Sequence, residues 1–126
     1  MTRIIKPNFE YRDDRGVLRE ILRNNTWQQL NEYERKKKSI AGNHYHKDMS
    51  EFFYVVSGSM DVILYNVKTK VRTEFAAKKG DAFTVEPFEV HTLVFTEDSV
   101  FITLLTHTFD SSNPDLYHYE LVSQQI

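Results

Sequence analysis

The chain has 126 residues, and its 16 basic and 18 acidic side chains leave a net charge of −2, which gives no electrostatic case for binding nucleic acid or an anionic membrane. Cysteine is absent, which removes disulfides, thiolate metal sites and cysteine nucleophiles together. No apolar run approaches the ~20 residues of a membrane span and the N-terminus has no signal-type apolar region, so cytoplasmic residence is the default expectation.

Hydrophobic residues make up 40% of the sequence and aromatics 13%, enough to build one core, and a single domain over residues 1–126 is expected. Met1 to Pro7 reads as a leading arm. Phe9-Glu-Tyr11 alternates, Arg12-Asp-Asp-Arg-Gly16 makes a charged turn, and Val17 to Leu22 returns, so a hairpin is expected over about 8–22. Residues 24–40 are ambiguous. Trp27, Leu30 and Tyr33 fall at helical spacing, and the Glu, Lys and Gln content favours a helix. Arg35-Lys36-Lys37-Lys38 reads as a solvated strand end or loop, with substrate phosphates as its alternative partner.

Gly42 to Gly58 is the stretch that carries chemistry. His44 and His46 are two apart, so on an extended strand both imidazoles leave the same face. Lys47 to Ser50 is a short polar break, and Glu51 opens the apolar run Phe52 to Val56. Two histidines and a carboxylate on neighbouring strands supply three ligands of the kind a first-row metal takes.

Beyond this stretch the pattern is β. Met60 to Tyr65, Val71 to Ala76, Ala82 to Val85, His91 to Phe95 and Val100 to Thr106 read as strands. They are separated by Ser57-Gly58-Ser59, Asn66 to Lys70, Lys78 to Asp81, Glu86 to Glu89 and Thr96 to Asp98. Short strands at near-regular spacing indicate a sandwich or barrel, here over about 28–107. Phe52 to Val56 is apolar on both alternating faces, so its outer face needs cover, and a homodimer is expected. Asn113-Pro114-Asp115 is a turn, and Leu116 to Val122 reads as a last strand within the C-terminal segment 108–126.

These residues resemble the cupin superfamily, whose first motif is His-x-His, four residues, Glu, six residues, Gly. His44, His46, Glu51 and Gly58 satisfy every interval. The second motif has a Gly, a Pro six on, a Gly eight on and a His eleven on. Gly80 and His91 match, while Glu86 and Phe88 stand where the Pro and second Gly belong, with Pro87 displaced by one. The resemblance implies an all-β cupin, a double-stranded β-helix or jelly-roll barrel, with His91 as fourth ligand. It also favours a strand within 24–40, since a helix there would break the barrel before the His-x-His strand.

Two further stretches narrow the resemblance. Asp13-Asp14-Arg15-Gly16 followed by Glu20 is similar to the Asp-x-Arg-Gly…Glu hairpin of nucleotide-sugar cupins, although a charged turn is the preferred reading of the stretch on its own. Gly42-Asn43-His44-Tyr45-His46 together with Phe109-Asp-Ser-Ser-Asn-Pro-Asp-Leu-Tyr117 resembles the C-terminal cupin domain of bifunctional capsular-polysaccharide UDP-sugar enzymes, over about Phe9 to Val122. The likeness to dTDP-4-dehydrorhamnose 3,5-epimerase-like cupins is more distant. The reductase domain that precedes the cupin in the capsular enzymes is not among these residues.

What the resemblance implies is a metal-binding epimerase or isomerase acting on a nucleotide-linked 4-keto-6-deoxy sugar in surface polysaccharide biosynthesis. The implied cofactor is one divalent ion, zinc ahead of iron, manganese, nickel or cobalt, on His44, His46, Glu51 and His91. Epimerisation beside a ketone removes a proton alpha to the carbonyl, stabilises the enolate and returns a proton on the opposite face. A metal can hold the enolate charge. Tyr54, Tyr65 and His107 are the candidate proton carriers, with Tyr45 beside them, although each taken alone is more at home as a core or rim residue. Without a metal, His44 or His46 would take the role of base. His118, between Tyr117 and Tyr119, reads as surface or interface. A carbohydrate-binding cupin without turnover and a cupin-type Fe(II) oxygenase are the alternative functions.

Overall fold

The computed structural model describes residues 3–123. The charged turn at Asp13 to Gly16 closes the first hairpin, with Phe9–Asp13 (β1) paired antiparallel to Gly16–Glu20 (β2). Asp13 fixes this turn by accepting the Arg15 amide at 2.9 Å, a local side-chain bond of the sort that favours turns over strand continuation.

In the ambiguous segment the strand prevails. Gln29–Arg35 is β3, and it pairs along its whole length with the later strand Ser99–Leu105. Helical propensity here loses to tertiary pairing: as a strand, β3 stacks Tyr33 on Phe101 at 4.7 Å between ring centroids and satisfies a ladder of backbone groups. The remaining strands are Ile40–Tyr45 (β4), Glu51–Ser57 (β5), Ser59–Asn66 (β6), Arg72–Lys78 (β7), Ala82–Val85 (β8), Glu89–Phe95 (β9), Ser99–Leu105 (β10) and Tyr117–His118 (β11). Two antiparallel sheets face each other, ordered β3-β10-β5-β8 and β11-β4-β9-β6-β7, and no helix occurs among the described residues. This is the all-β, jelly-roll architecture of a cupin. No helix of the described residues is long and apolar enough to cross a membrane.

The core lies between the sheets. Phe53 and Val55 from β5, Met60, Val62 and Leu64 from β6, Phe83 and Val85 from β8, and Leu93 and Phe95 from β9 are buried there with Phe101 from β10. Each large side chain removed from water contributes roughly 1.5–3 kcal/mol. On β5 the period of two turns Phe53 and Val55 inward and Phe52, Tyr54 and Val56 outward. Trp27 covers Phe52 at 6.2 Å between ring centroids, leaving it 2% exposed, while Val56 remains exposed. Between the β1–β2 hairpin and this outer face runs an apolar groove of about 620 Å³, lined by Phe9, Leu18, Phe52, Tyr54, Ile102 and Leu104 among others.

Two differences from the sequence reading bear on the site, and a third concerns the arm. β9 starts at Glu89, two residues before His91, because the turn ahead of it is tighter than expected. In that turn Phe88 adopts the left-handed region (φ 69°) that favours glycine. The strain is of order 1 kcal/mol, and it is held by the Phe88 amide bonding to the His46 carbonyl at 2.7 Å. The tail forms strand only at Tyr117–His118 rather than over Leu116 to Val122, since after the Tyr119 amide bonds to the Asn43 carbonyl the Leu121 and Val122 amides turn to the Asn43 side chain. The leading arm is tied down: Arg3 makes two bonds to Glu89, both 2.9 Å, and Ile5 bridges to Ala82. Residues 1–2 of that arm and 124–126 of the expected C-terminal segment lie outside the described residues.

Candidate metal centre

The His-x-His strand is built around a bulge. The register between β4 and β9 slips between Gly42 and His44, and Gly42 (φ 93°) and Asn43 (φ 56°) both adopt left-handed backbone. The slip sets His44 opposite His91. It also brings the two strands so close that a Cβ on Gly42 would overlap the His91 carbonyl oxygen. Gly42→Ala is therefore expected to destabilise the protein by roughly 1–3 kcal/mol, the usual range for overpacking, and to lower metal uptake. Thermal melts and metal titration check this, and a variant like wild type in both would show that β4 shifts freely.

His44 on β4 and His46 just past its end point inward, Glu51 opens β5 on the same side as Phe53, and His91 lies on β9. One ligand atom from each comes together within 4.8 Å of the others. His46 Nε2 lies 2.7 Å from Glu51 Oε1, and His91 Nε2 lies 3.7 Å from the same oxygen. All but His44 are buried, and His44 is half-buried.

Each imidazole is also held from behind. Nδ1 of His44 faces the Gly42 carbonyl at 3.0 Å, that of His46 the Asp115 carbonyl at 2.5 Å, and that of His91 the Glu89 carbonyl at 3.5 Å. A carbonyl only accepts, so Nδ1 carries the proton and Nε2 is left as the ring's lone-pair donor, the orientation metal-binding histidines adopt. A lone pair and a carboxylate 2.7 Å apart need a proton or a cation between them. The residues fit a divalent ion on that ground, and three imidazoles with one carboxylate suit zinc or its first-row neighbours.

For His44 and His91 the electrostatics agree. Burial pushes the His91 pKa down to about 3, so this ring is neutral at pH 7. Burial, with His46 alongside, also lowers His44. Burial opposes charge on His46, but the Glu51 carboxylate and Asp115 carbonyl outweigh it and raise its pKa. For Glu51, burial favours the neutral acid, and the hydrogen bond from His46 with the surrounding histidines outweighs this and holds the carboxyl below its ordinary range.

The cluster borders a cavity of about 120 Å³ between β3 and β4, lined by His44, Glu51, His91, Gly42, Tyr33 and Arg35 together with core side chains. The β3 residues were not singled out from the sequence as site residues. Gln29 Nε2 donates to Asn31 Oδ1 at 3.1 Å, and Asn31 Nδ2 donates to the Tyr33 hydroxyl at 3.3 Å. The Arg35 guanidinium lies 5.1 Å from the Tyr33 ring centroid. Thr103, 1% exposed and paired in register with Asn31, has a hydroxyl without a partner. The signal was the alternation Gln-x-Asn-x-Tyr-x-Arg, which is polar on its inward face and so reads as solvated.

The structure does not bring the predicted proton carriers to this cluster. Tyr54 lies between the inward Phe53 and Val55 and so lines the outer groove. Tyr65 follows the inward Leu64 and sits beside the Tyr119 ring at 5.7 Å. His107 is exposed beyond β10, its Nδ1 2.9 Å from the Thr106 hydroxyl. Tyr45 faces away from its histidine neighbours and stacks on Tyr117 at 5.4 Å. The strand period of two places all three tyrosines on outer faces. His118 pairs in register with His44 and is exposed.

The profile of the polysaccharide biosynthesis C-terminal domain family matches residues 11–117. Comparison with curated protein sequences gives no match. Among solved structures, the capsular polysaccharide assembling protein CapF from Staphylococcus aureus is 26% identical, with a TM-score of 0.71 over 90% of this chain. The chain spans 32% of CapF. The dTDP-4-dehydrorhamnose 3,5-epimerase from Sulfolobus tokodaii is 21% identical, with a TM-score of 0.72 over 86% of this chain and 72% of its own. The dTDP-6-deoxy-D-glucose-3,5-epimerase from Legionella pneumophila, in complex with dTDP-4-keto-L-rhamnose, is 14% identical with a TM-score of 0.79. It covers 94% of this chain and 72% of its own.

Proposed function

The chain belongs to the polysaccharide biosynthesis C-terminal domain family, and we propose that it is a metal-dependent epimerase or isomerase of a nucleotide-linked 4-keto-6-deoxy sugar. The observation that carries this reading is the four-ligand cluster opening onto a cavity that also holds a tyrosine and an arginine. His44, His46, Glu51 and His91 would hold one divalent ion, with zinc first. Bound there, the ion would polarise the sugar ketone and hold the charge of the enolate.

Tyr33 takes the place of the tyrosines that face outward. Its oxygen accepts from Asn31, which leaves its own proton free to be given. Because Asn31 lies on the side of β3 nearer Gln29, whose partner Leu105 pairs in turn with Glu51, this bond turns the hydroxyl toward the ligand end of the barrel. In the proposed step solvent water takes the proton alpha to the ketone, and the Tyr33 O–H gives its own proton to the enolate carbon that results. The phenolate left behind is stabilised by the Asn31 N–H and the Arg35 guanidinium until it regains a proton from solvent. The cavity is sized for part of a sugar ring, so the nucleotide would lie outside it.

The test is solvent exchange. With a UDP- or dTDP-4-keto-6-deoxy sugar in D₂O, the metal-loaded protein should wash deuterium into C3 or C5, and a chelator should abolish it. A protein that binds such sugars without exchange, across a panel of nucleotides, would instead be a ligand-binding cupin. The proposal includes action in the cytoplasm and a homodimer covering the apolar groove over β5 and β10. Light scattering should then give about twice 14.9 kDa, whereas a clean monomer would leave the groove without a second copy.

A further inference from the structure

We infer that Asp115 is a positioning residue of the metal centre, through which the C-terminal segment becomes part of the site. The inference rests on the metal-binding reading above. Asp115 lies 69 residues from His46 in sequence, yet its carbonyl oxygen receives the His46 Nδ1–H. Its carboxylate grips the loop that follows: Oδ1 accepts the Lys47 amide at 2.7 Å, and Oδ2 accepts the Asp48 and Met49 amides at 2.9 and 3.0 Å. These amides belong to the short step from His46 to Glu51, so a single residue sets both the tautomer of one ligand and the spacing between two.

The chain after Asp115 reinforces this grip. Tyr117 and His118 pair with Tyr45 and His44, and the Tyr119 amide bonds to the Asn43 carbonyl at 2.8 Å. The Asn43 side chain accepts the Leu121 amide at 2.9 Å and donates to the Val122 carbonyl at 2.9 Å. Lys47 adds a cation 4.2 Å from the Tyr117 ring centroid. The tail therefore lies along the ligand strand from Asn43 to Lys47. Metal occupancy and tail docking must then favour each other by the same factor, as any two linked equilibria do.

The experiment uses the full chain with Asp115→Ala and Asp115→Asn, titrated with Zn²⁺ against a competing chelator and followed by hydrogen exchange. Asp115→Ala keeps the carbonyl on His46 but frees the Lys47 to Met49 loop, and should bind Zn²⁺ about 10-fold more weakly, the low end of the range for losing a group that orients a ligand. Asp115→Asn, which keeps one acceptor oxygen, should lose less. Exchange at the Lys47, Asp48 and Met49 amides should quicken in both variants, and Zn²⁺ should slow exchange at Tyr119 and Leu121 in wild type. Asp110→Ala serves as control, because Asp110 caps only its own turn at Ser112. Wild-type Zn²⁺ affinity in Asp115→Ala, or in Asp115→Asn should the alanine variant not fold, would overturn the inference. Failure of wild type to bind Zn²⁺ would instead remove the metal reading beneath it.

Discussion

His91→Ala is expected to empty the metal centre and with it to stop proton exchange on the sugar. His91 is 3% exposed and neutral at pH 7, and its Nε2 lies 3.7 Å from Glu51. Removing it leaves His44, His46 and Glu51 around a void where an imidazole was. The loss of a ligand should exceed the roughly 10–100-fold that loss of an orienting partner costs. Chelator competition measures this, with circular dichroism to show that the barrel persists. Wild-type affinity in His91→Ala would remove His91 from the ligand set and break the spacing argument that selected it.

Tyr33→Phe should separate chemistry from metal binding. The substitution deletes one oxygen and keeps the ring that stacks on Phe101 at 4.7 Å, so fold and metal content should stay as in wild type. Exchange should fall by about 10²–10⁴-fold, the range for loss of a positioned acid or base. Tyr54→Phe and Tyr65→Phe, on outer faces, should leave the exchange rate within about 2-fold of wild type, since surface substitutions away from a site do little. A Tyr33→Phe protein exchanging at the wild-type rate would exclude the phenol as proton donor. A large loss in Tyr54→Phe would point to the outer groove instead.

Three of the four cluster residues were legible because their spacing is local. His44, His46 and Glu51 fall within one short stretch, and the period of two fixes their common face. His91 needed a motif interval, since strand pairing across 47 residues between His44 and His91 leaves no local trace. That Tyr54 and Tyr65 lie away from the cluster was hidden for a related reason. Tyr54 stands between Phe53 and Val55, and Tyr65 follows the apolar run Val62 to Leu64, so the sequence cannot say which alternate set faces inward; the burial of Phe53, Val55 and Leu64 decides it. Tyr33 was hidden by a segment whose propensity and spacing read as helix. Only its pairing with β10 turns Gln29, Asn31, Tyr33 and Arg35 to one face. The Asn-Pro-Asp turn was legible as a turn, but nothing local shows that Asp115 reaches the loop after His46.

If His44, His46, Glu51 and His91 form one metal centre, the metal content of the purified protein will show it. Protein purified without a histidine tag, saturated with Zn²⁺ and freed of excess, should carry close to one ion per chain by elemental analysis. His46→Ala and His91→Ala prepared alongside should carry little. Wild-type protein holding no more ion than these variants would contradict the account, because the four side chains would then be a buried hydrogen-bonded cluster and nothing more.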